Sequence, residues 1–205
     1  MNYADLQQLV EDHLARSDLS SWFQSFVASA ETWLNYGSQE TPPLRVREME
    51  TIATLTPVAG VVTLPDDYLE YERVSEALSS RRTLNYVTAD QTERWYPDGA
   101  AGVAEQFTII GESLYTFPLA QSDISLLYYR SIPPLTAVDD TNWLLTKNQN
   151  IYLHAVLFSA YTFTKDSDLA AAHAGLASAL IAGMNQSGVM AKYARAVVKM
   201  RGVTP

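Results

Sequence analysis

Residues 148–164 read NQNIYLHAVLFSAYTFT, a segment that is apolar around its whole circumference when wound as a helix. Asn148 is a residue type that favours the N-cap position. The large apolar side chains do not keep to one face of this helix: they are Tyr152, Leu153, Val156, Leu157, Phe158 and Tyr161. A helix that is apolar on all sides is buried by its neighbours. We therefore expect 148–164 to be the central helix of a bundle.

Three amphipathic segments are expected to pack around this helix. The first begins after Asn2, and the second begins after Asp18 and ends at Gly37, just ahead of two prolines. The third occupies 168–185 and is expected to break at Gly188. Their apolar stripes recur at helical spacing: Leu6, Leu9, Val10 and Leu14; Trp22, Phe23, Phe26, Val27, Ala30, Trp33 and Leu34; and Leu169, Leu176, Leu180, Ile181 and Met184.

Residues 44–135 have a different pattern, in which short β-favouring runs alternate with turn residues. Gly111-Glu112 is expected to be the two-residue loop of a hairpin. The run LLYY at 126–129 is apolar on both faces, which is typical of a central strand. One short helix is expected at 89–95, after Thr88. The candidate strands are 45–55, 60–64, 71–77, 83–87, 106–110, 113–117 and 124–131.

Together these segments predict an α+β protein, a discontinuous helical bundle with a β-rich insert and a C-terminal arm. Residues 1–40 form the first part of the bundle and 140–186 form the second part. Residues 41–139 form the β-rich insert, and 187–205 form the arm. The insert splits one bundle rather than separating two, because neither pair of helices would bury its apolar stripes alone.

Charge is distributed unevenly along the chain. The 205 residues carry a formal net charge of −9, from 14 Lys and Arg against 23 Asp and Glu. The arm contains four basic residues and no acidic one, so it is +4 and the rest of the chain is −13. An acidic body of this kind opposes general binding to nucleic acid and to anionic membranes.

Composition excludes several further classes of protein. The chain has no cysteine, which excludes disulfides, thiolate zinc sites and cysteine nucleophiles. The residues after Met1 have no basic region followed by an apolar one, so we expect no secretory signal. The longest weakly polar run, 174–184, is too short to span a bilayer.

The arm combines basic and apolar residues. Its apolar members Val189, Met190, Tyr193, Val197 and Val198 would share one side of a short helix, and its charges come from Lys192, Arg195, Lys199 and Arg201. A segment of this kind suits docking on an acidic, apolar groove of a partner protein. A disordered tail and a grip on nucleic acid are the alternatives.

The histidines do not predict a metal site. His13, His154 and His173 have no second histidine at metal-ligand spacing. His13 and His173 lie on apolar helical stripes, so we expect half-buried structural histidines. The chain also has no P-loop, no G-x-G-x-x-G and no G-x-S-x-G motif.

Asp66, Asp67 and Glu70 form a small acidic cluster after Pro65. Such a cluster could hold a cation or act in acid–base chemistry. The simpler interpretation is a helical turn that begins after the proline, with the acids at its positive end. We therefore expect no catalytic, cofactor-binding or metal-binding residue, and no enzymatic activity.

Aromatic residues outside the predicted core are candidates for an interface. Trp22 and Trp33 lie on a core stripe, and the tyrosines of the LLYY run lie in a predicted central strand. Trp95, Tyr96 and Trp143 lie outside these elements. We expect these three residues to lie at an interface with another protein subunit.

A set of short segments follows a fixed order along the chain: 16–20 (RSDLS), 30–31 (AE), 45–49 (RVREM), 64–69 (LPDDYL), Gly111, 127–129 (LYY), 132–133 (IP), 141–146 (TNWLLT) and 151–155 (IYLHA). In this order and spacing they resemble the head-to-tail adaptor (connector) proteins of tailed bacteriophages, especially those of short-tailed phages. Where the family pattern has a proline after the capping residue, this chain has Gln149. The last nineteen residues match no part of the pattern.

The resemblance implies a structural virion protein that forms a twelve-fold ring below the portal vertex, after synthesis in the host cytoplasm. Such a ring extends the channel for double-stranded DNA, which passes without specific binding because an acidic wall repels phosphates. Its far side offers an attachment surface to tail or nozzle proteins, and the arm docks on the portal protein. The resemblance implies no cofactor and no contact with a membrane.

Two other classes of function are alternatives at this point. A carboxylate-dependent hydrolase that degrades cell wall would use Asp66, Asp67 or Glu70. A receptor- or glycan-binding tail module would use the β-rich insert, residues 41–139.

Overall fold

A computed structural model describes residues 1–77, 82–96 and 99–193. These residues form two compact units: Met1–Glu48 together with the described residues from Ile132 onward, and Met49–Ser131. The first unit is helical and the second consists mainly of β-sheet. The predicted α+β class is therefore confirmed.

The chain runs from the helical unit into the β-rich unit and then returns to the helical unit. The helices are α1 (Tyr3–Leu14), α2 (Phe23–Tyr36), α3 (Ala89–Trp95), α4 (Trp143–Lys147), α5 (Gln149–Thr164) and α6 (Ser167–Tyr193). The strands are β1 (Glu50–Leu55), β2 (Val61–Thr63), β3 (Tyr68–Glu76), β4 (Asn85–Tyr86), β5 (Ala101–Gly102), β6 (Gln106–Ile110), β7 (Ser113–Phe117), β8 (Leu119–Ala120) and β9 (Ile124–Arg130).

Helix α5 occupies the centre of the helical unit. It packs against α1, α2, α4 and α6. Side chains all around it are buried: Ile151, Tyr152, Leu153, Ala155, Val156, Leu157 and Ala160. The prediction of a buried central helix is therefore confirmed. Asn148 occupies the N-cap position, although its side chain makes no capping hydrogen bond.

Helices α1 and α2 begin in different ways. In α1, Asn2 Oδ1 accepts a hydrogen bond from Asp5 N–H (2.9 Å), and the Asp5 carboxylate accepts one from Asn2 N–H (3.0 Å). This reciprocal pair confirms the predicted cap. The predicted cap at Asp18 is wrong, because α2 begins only after a 3₁₀ turn at Ser20–Trp22. The Asp18 carboxylate instead pairs with Arg16 at 2.7 Å.

Helix α6 is longer than the sequence pattern predicted. It continues without a break through Gly188, so the break expected there is wrong. Asn185 Oδ1 accepts a hydrogen bond from Arg45 N–H (2.8 Å), and Asn185 Nδ2 donates one to the Pro43 carbonyl (2.9 Å). These bonds fasten α6 to the chain that follows α2. They offset the roughly 1 kcal/mol by which a glycine weakens a helix interior.

Within the described residues, the β-rich unit has a three-stranded sheet, a four-stranded sheet and a short parallel pair. In the three-stranded sheet, β9 lies between β1 and β3 and is antiparallel to both, which confirms the predicted central strand. The four-stranded sheet has the order β2-β7-β6-β4. Gly111-Glu112 forms the predicted loop between β6 and β7, and its glycine has a φ of +60° that suits the tight turn.

The β-rich unit has its own apolar core. Its largest buried members come from both main sheets and from the chain between them: Val62, Leu64, Val74, Leu84, Phe107, Leu114, Ile124, Leu126 and Tyr128. A separate core is what an independently folding unit requires. The β-rich unit therefore has a core separate from that of the helical unit, which contains α6.

Candidate interaction surface

Helix α6 presents an uncharged surface to solvent. Residues 169–191 contain no Asp, Glu, Lys or Arg. Several large apolar side chains of the helix are nonetheless exposed: Leu169, Leu176, Leu180, Val189, Met190 and Tyr193. Even so, no helix in the described part of the chain has the length and apolar character that crossing a membrane requires. Exposed apolar side chains that share one side of a helix are candidates for interaction with protein.

One flank of α6 carries a ridge of leucines. Leu169, Leu176 and Leu180 are 42%, 50% and 38% exposed. Their spacing of seven and four residues places them on one side of the helix. We call these three residues the leucine ridge. The adjacent core side of α6 is buried through Ala177 and Ile181.

The other flank of α6 borders an apolar groove of about 860 Å³. Its walls come from α2, α5 and α6, and its main lining residues are Trp33, Phe158, Ala171, Ala174, Gly175 and Ser178. A side chain added at Gly175 would meet nothing within 4 Å, so the groove is open at that point. Lys165 and Glu40 also line it, so its charged residues balance. We call this feature the α6 groove.

A buried polar network joins α2 and α5, two of the three helices that form the walls of the groove. Glu31 of α2 is 8% exposed. Its Oε1 accepts hydrogen bonds from the Tyr152 hydroxyl (3.0 Å) and from Leu135 N–H (2.9 Å). The Tyr152 hydroxyl accepts one from Asn142 Nδ2 (2.7 Å). Burial raises the pKa of Glu31 against the opposing effect of its two hydrogen bonds, and burial likewise raises the pKa of Tyr152.

Comparison with known protein families covers nearly the whole chain. The model of a family described as SU10 adaptor protein matches residues 1–200. The chain belongs to the SU10 adaptor protein family. A comparison with curated proteins found no significant match.

Membership in the SU10 adaptor family confirms the resemblance to phage head-to-tail adaptors. The protein is thus a structural phage adaptor of head–tail assembly. The match reaches residue 200, so it includes most of the C-terminal segment that the resemblance left out. That the phage is of the short-tailed type stays a prediction.

The predicted portal-docking residues of this SU10 adaptor lie partly within α6. The structure places Val189, Met190, Lys192 and Tyr193 within α6, rather than in an arm separated by a break. Three of them are exposed to solvent: Val189, Met190 and Tyr193. The remaining members lie outside the described residues: Arg195, Val197, Val198, Lys199 and Arg201. Their docking role stays a prediction.

The three aromatic residues predicted at an interface belong to different units. Trp95 and Tyr96 lie at the end of α3 in the β-rich unit. Trp95 is 51% exposed, whereas the Tyr96 ring stacks on Phe117 with centroids 5.7 Å apart. Trp143 begins α4 in the helical unit and is half-buried, and its indole Nε1 is buried without a hydrogen-bond partner. Their interface role stays a prediction.

The acidic cluster of this adaptor is part of the β-rich framework. The predicted helical turn after Pro65 is wrong, because Asp66 and Asp67 form a turn that leads directly into β3. Asp67 Oδ1 accepts a hydrogen bond from the Tyr128 hydroxyl at 2.8 Å. Burial and this bond together raise the pKa of Tyr128 to about 12. Pairing of β3 with β9 explains the extended conformation.

Two histidines that are far apart in the sequence meet between α5 and α6. His154 Nδ1 and His173 Nδ1 are 3.0 Å apart, and the second ring also stacks on Tyr161 with centroids 5.3 Å apart. His173 is half-buried as predicted, whereas His13 is exposed, so that part of the prediction is wrong. In the described ranges, no group of three or more His, Asp or Glu is placed to hold a metal ion.

The histidine pair predicts a loss of stability in mild acid. Burial lowers the pKa of both His154 and His173, and the positive charges of neighbouring histidines, His13 among them, lower it further. The unfolded chain therefore binds protons more readily than the folded chain. The stabilisation is present above the unfolded value of about 6.5 and is lost as the pH falls below it.

Thermal melts between pH 7.5 and pH 5.5 measure this effect. The melting temperature of the wild-type protein should fall more steeply with decreasing pH than that of His173→Gln, which keeps a polar side chain but cannot be protonated. His13→Gln is the matched control, because His13 is exposed and its substitution should alter the slope less. Equal slopes in the wild type and His173→Gln would contradict the interpretation.

Proposed function

We propose that this SU10 adaptor forms a twelve-fold ring in the virion of a short-tailed phage. The ring lies at the neck of the virion, below the portal vertex. The observation that carries the proposal is the family match over residues 1–200. In this position the ring extends the DNA channel and provides the surface to which tail or nozzle proteins attach. The uncharged, exposed surface of α6 supports a role in protein–protein assembly.

The charge of the chain supports passage of DNA without capture. The formal net charge is −9, so a ring of many copies is strongly acidic. An acidic channel repels the phosphate backbone and lets the duplex slide. The same charge makes copies repel one another in solution. We therefore expect the ring to assemble on the portal, which acts as a template, rather than on its own.

The C-terminal end of the chain supports contact with the portal protein. Val189, Met190 and Tyr193 place exposed apolar surface at the end of α6, and residues 187–205 carry a charge of +4. Apolar area combined with positive charge suits a partner surface that is apolar and acidic. In this arrangement the acidic body faces the channel and the basic end grips the portal.

Removal of residues 194–205 tests the portal contact. The truncated protein should keep its melting temperature, because the last buried side chain among the described residues belongs to Ile181. It should lose binding to the portal protein of the same phage in co-sedimentation. The double variant Lys192→Glu/Arg195→Glu should weaken binding mainly at low salt, where charges are least screened.

The contrary outcome is a grip on DNA. In that case the truncated protein would still sediment with portals, and a peptide of residues 187–205 would retard duplex DNA with a steep dependence on salt. Images of the full-length protein mixed with portals should show a ring, and twelve subunits in that ring would match the proposed copy number. Portals that bind the full-length protein tightly but carry no ring would refute the proposal.

A further inference from the structure

We propose that the leucine ridge of one copy packs into the α6 groove of the next copy, and that this contact joins neighbouring subunits of the ring. This inference rests on the proposed ring. It adds which two surfaces of neighbouring subunits meet, and that the subunits meet head-to-tail. The occupant of the groove is thus a second copy of this chain.

Charge is the first argument for a second copy. Each copy carries a net charge of −9, so most surfaces of two copies repel each other. Residues 169–191 are an exception, because this stretch of α6 has no charged side chain. The groove is neutral overall, since Lys165 and Glu40 balance. Two copies that meet along α6 avoid the repulsion between their acidic bodies.

Shape is the second argument. The ridge offers branched side chains at Leu176 and Leu180, one helical turn apart. The groove offers small residues at a matching spacing, at Ala171, Gly175 and Ser178. Rows of large side chains on one helix pack between the rows of small residues on another. At Gly175 the groove has no side chain of its own, and an added Cβ would meet nothing within 4 Å.

The relative position of the two features is the third argument. Leu176 and Ala174 are two residues apart, which corresponds to about 200° around a helix. Ridge and groove therefore lie on opposite flanks of the same helix. A closed ring needs two different, complementary patches on each subunit, since each contact is head-to-tail. A two-fold dimer would instead need one patch that is complementary to itself.

Engineered cysteines test the arrangement, because the chain has no native cysteine. Leu176→Cys marks the ridge and Ala174→Cys marks the groove. The two marked positions point in opposite directions within one copy, so they cannot form a disulfide with each other. The full-length variants are oxidised in the presence of portals of the same phage and separated by denaturing gel electrophoresis, and their melts verify the fold.

Head-to-tail packing makes a distinctive prediction. Neither single variant should cross-link alone, an equal mixture of the two should yield dimers, and the double variant should yield a ladder of oligomers. Leu176→Cys that cross-links to itself would show a two-fold contact and overturn the inference. A ring seen in micrographs without any cross-link would place the interface elsewhere. Portals without a ring would instead refute the proposed function.

A second pair of variants tests the contact without cross-linking. Gly175→Met places a side chain in the groove, where its Cβ meets nothing within 4 Å, and it should raise the melting temperature because methionine favours a helix more than glycine does. Leu176→Glu places a charge on the ridge. Each should reduce ring occupancy on portals at least tenfold. Ile110→Glu, at a similarly exposed residue of the β-rich unit, is the charge-matched control and should leave occupancy unchanged.

These variants also separate other occupants of the groove. If a tail protein fills it, Gly175→Met will leave the ring intact and abolish attachment of that protein. Such a result would overturn the inference while leaving the proposed ring in place. Loss of the ring in both Gly175→Met and Leu176→Glu, together with the cross-linked ladder, is the result that we expect.

Discussion

Leu157→Ala should lower the free energy of unfolding by about 2–5 kcal/mol, the range found for leucine-to-alanine changes in well-packed cores. Leu157 lies near the middle of α5 and is fully buried. Because α5 packs against four other helices, the cavity left by the smaller side chain cannot close by a shift of one neighbour. Such a loss is a large part of the roughly 5–15 kcal/mol that stabilises a typical domain.

Urea denaturation at a protein concentration that keeps the chain monomeric measures this change. Leu176→Ala is the matched control, because Leu176 is 50% exposed and its truncation should alter stability by less than about 0.5 kcal/mol. A loss below about 0.5 kcal/mol for Leu157→Ala would show that α5 is not the core helix in solution. Similar losses in the two variants would argue for a ridge that is buried within the monomer.

Glu31→Ala should lower the free energy of unfolding by about 2–6 kcal/mol, because each of two buried donors loses its acceptor at about 1–3 kcal/mol. The donors are Leu135 N–H and the Tyr152 hydroxyl. Alanine also leaves space beside Tyr152, and the site is too enclosed for solvent to replace the carboxylate freely. The loss should therefore exceed that of a typical surface substitution several-fold.

Glu31→Gln is the matched variant for this prediction. Its amide oxygen still accepts from both donors, so we expect a loss below about 1 kcal/mol at neutral pH. Burial raises the pKa of Glu31, so the folded chain holds the proton more tightly than the unfolded chain does. The wild type should consequently lose stability relative to Glu31→Gln as the pH rises from 4 to 7. Equal losses in the alanine and glutamine variants would contradict the proposed role of the acceptor.

The predicted elements that agree best with the structure are those with strong local patterns. Strands β6 and β7 have the predicted bounds, because alternating residues on both sides of Gly111-Glu112 specify a hairpin by themselves. Helix α5 was predicted within one residue of its observed start, because no other element is apolar on every side for so long. The bounds of helix α3 were also predicted, because Thr88 is a residue type that favours the N-cap position. In the structure, Thr88 N–H donates a hydrogen bond to the Gln91 side chain.

The elements that were missed depend on partners that are distant in the sequence. Strands β5 and β8 are two residues each and pair in parallel, so neither has a pattern of its own. Trp22 was placed on a core stripe but is 51% exposed, because α2 begins only after it and its ring packs on Phe163 at the surface. The apolar pattern of α2 alone does not predict which other elements pack against the start of the helix.

The candidate surface was predicted only in part. The sequence indicated that the C-terminal residues Val189, Met190 and Tyr193 take part in docking, and they are exposed. The groove was not predicted, because its walls are brought together from α2, α5 and α6. An available signal was the absence of charge over residues 169–191, which is unusual for a helix that reaches the surface of an acidic protein.

The sequence by itself determined the fold class, the central helix and the family, since each depends on local periodicity or on the order of short segments. The tertiary structure decided that α6 continues through Gly188, which residues of α6 are exposed and which histidines meet. These features arise from contacts across large separations, such as Asn185 with Pro43 and His154 with His173. A helical pattern specifies which residues share a face, but the packing of neighbouring elements determines which faces stay open to a partner.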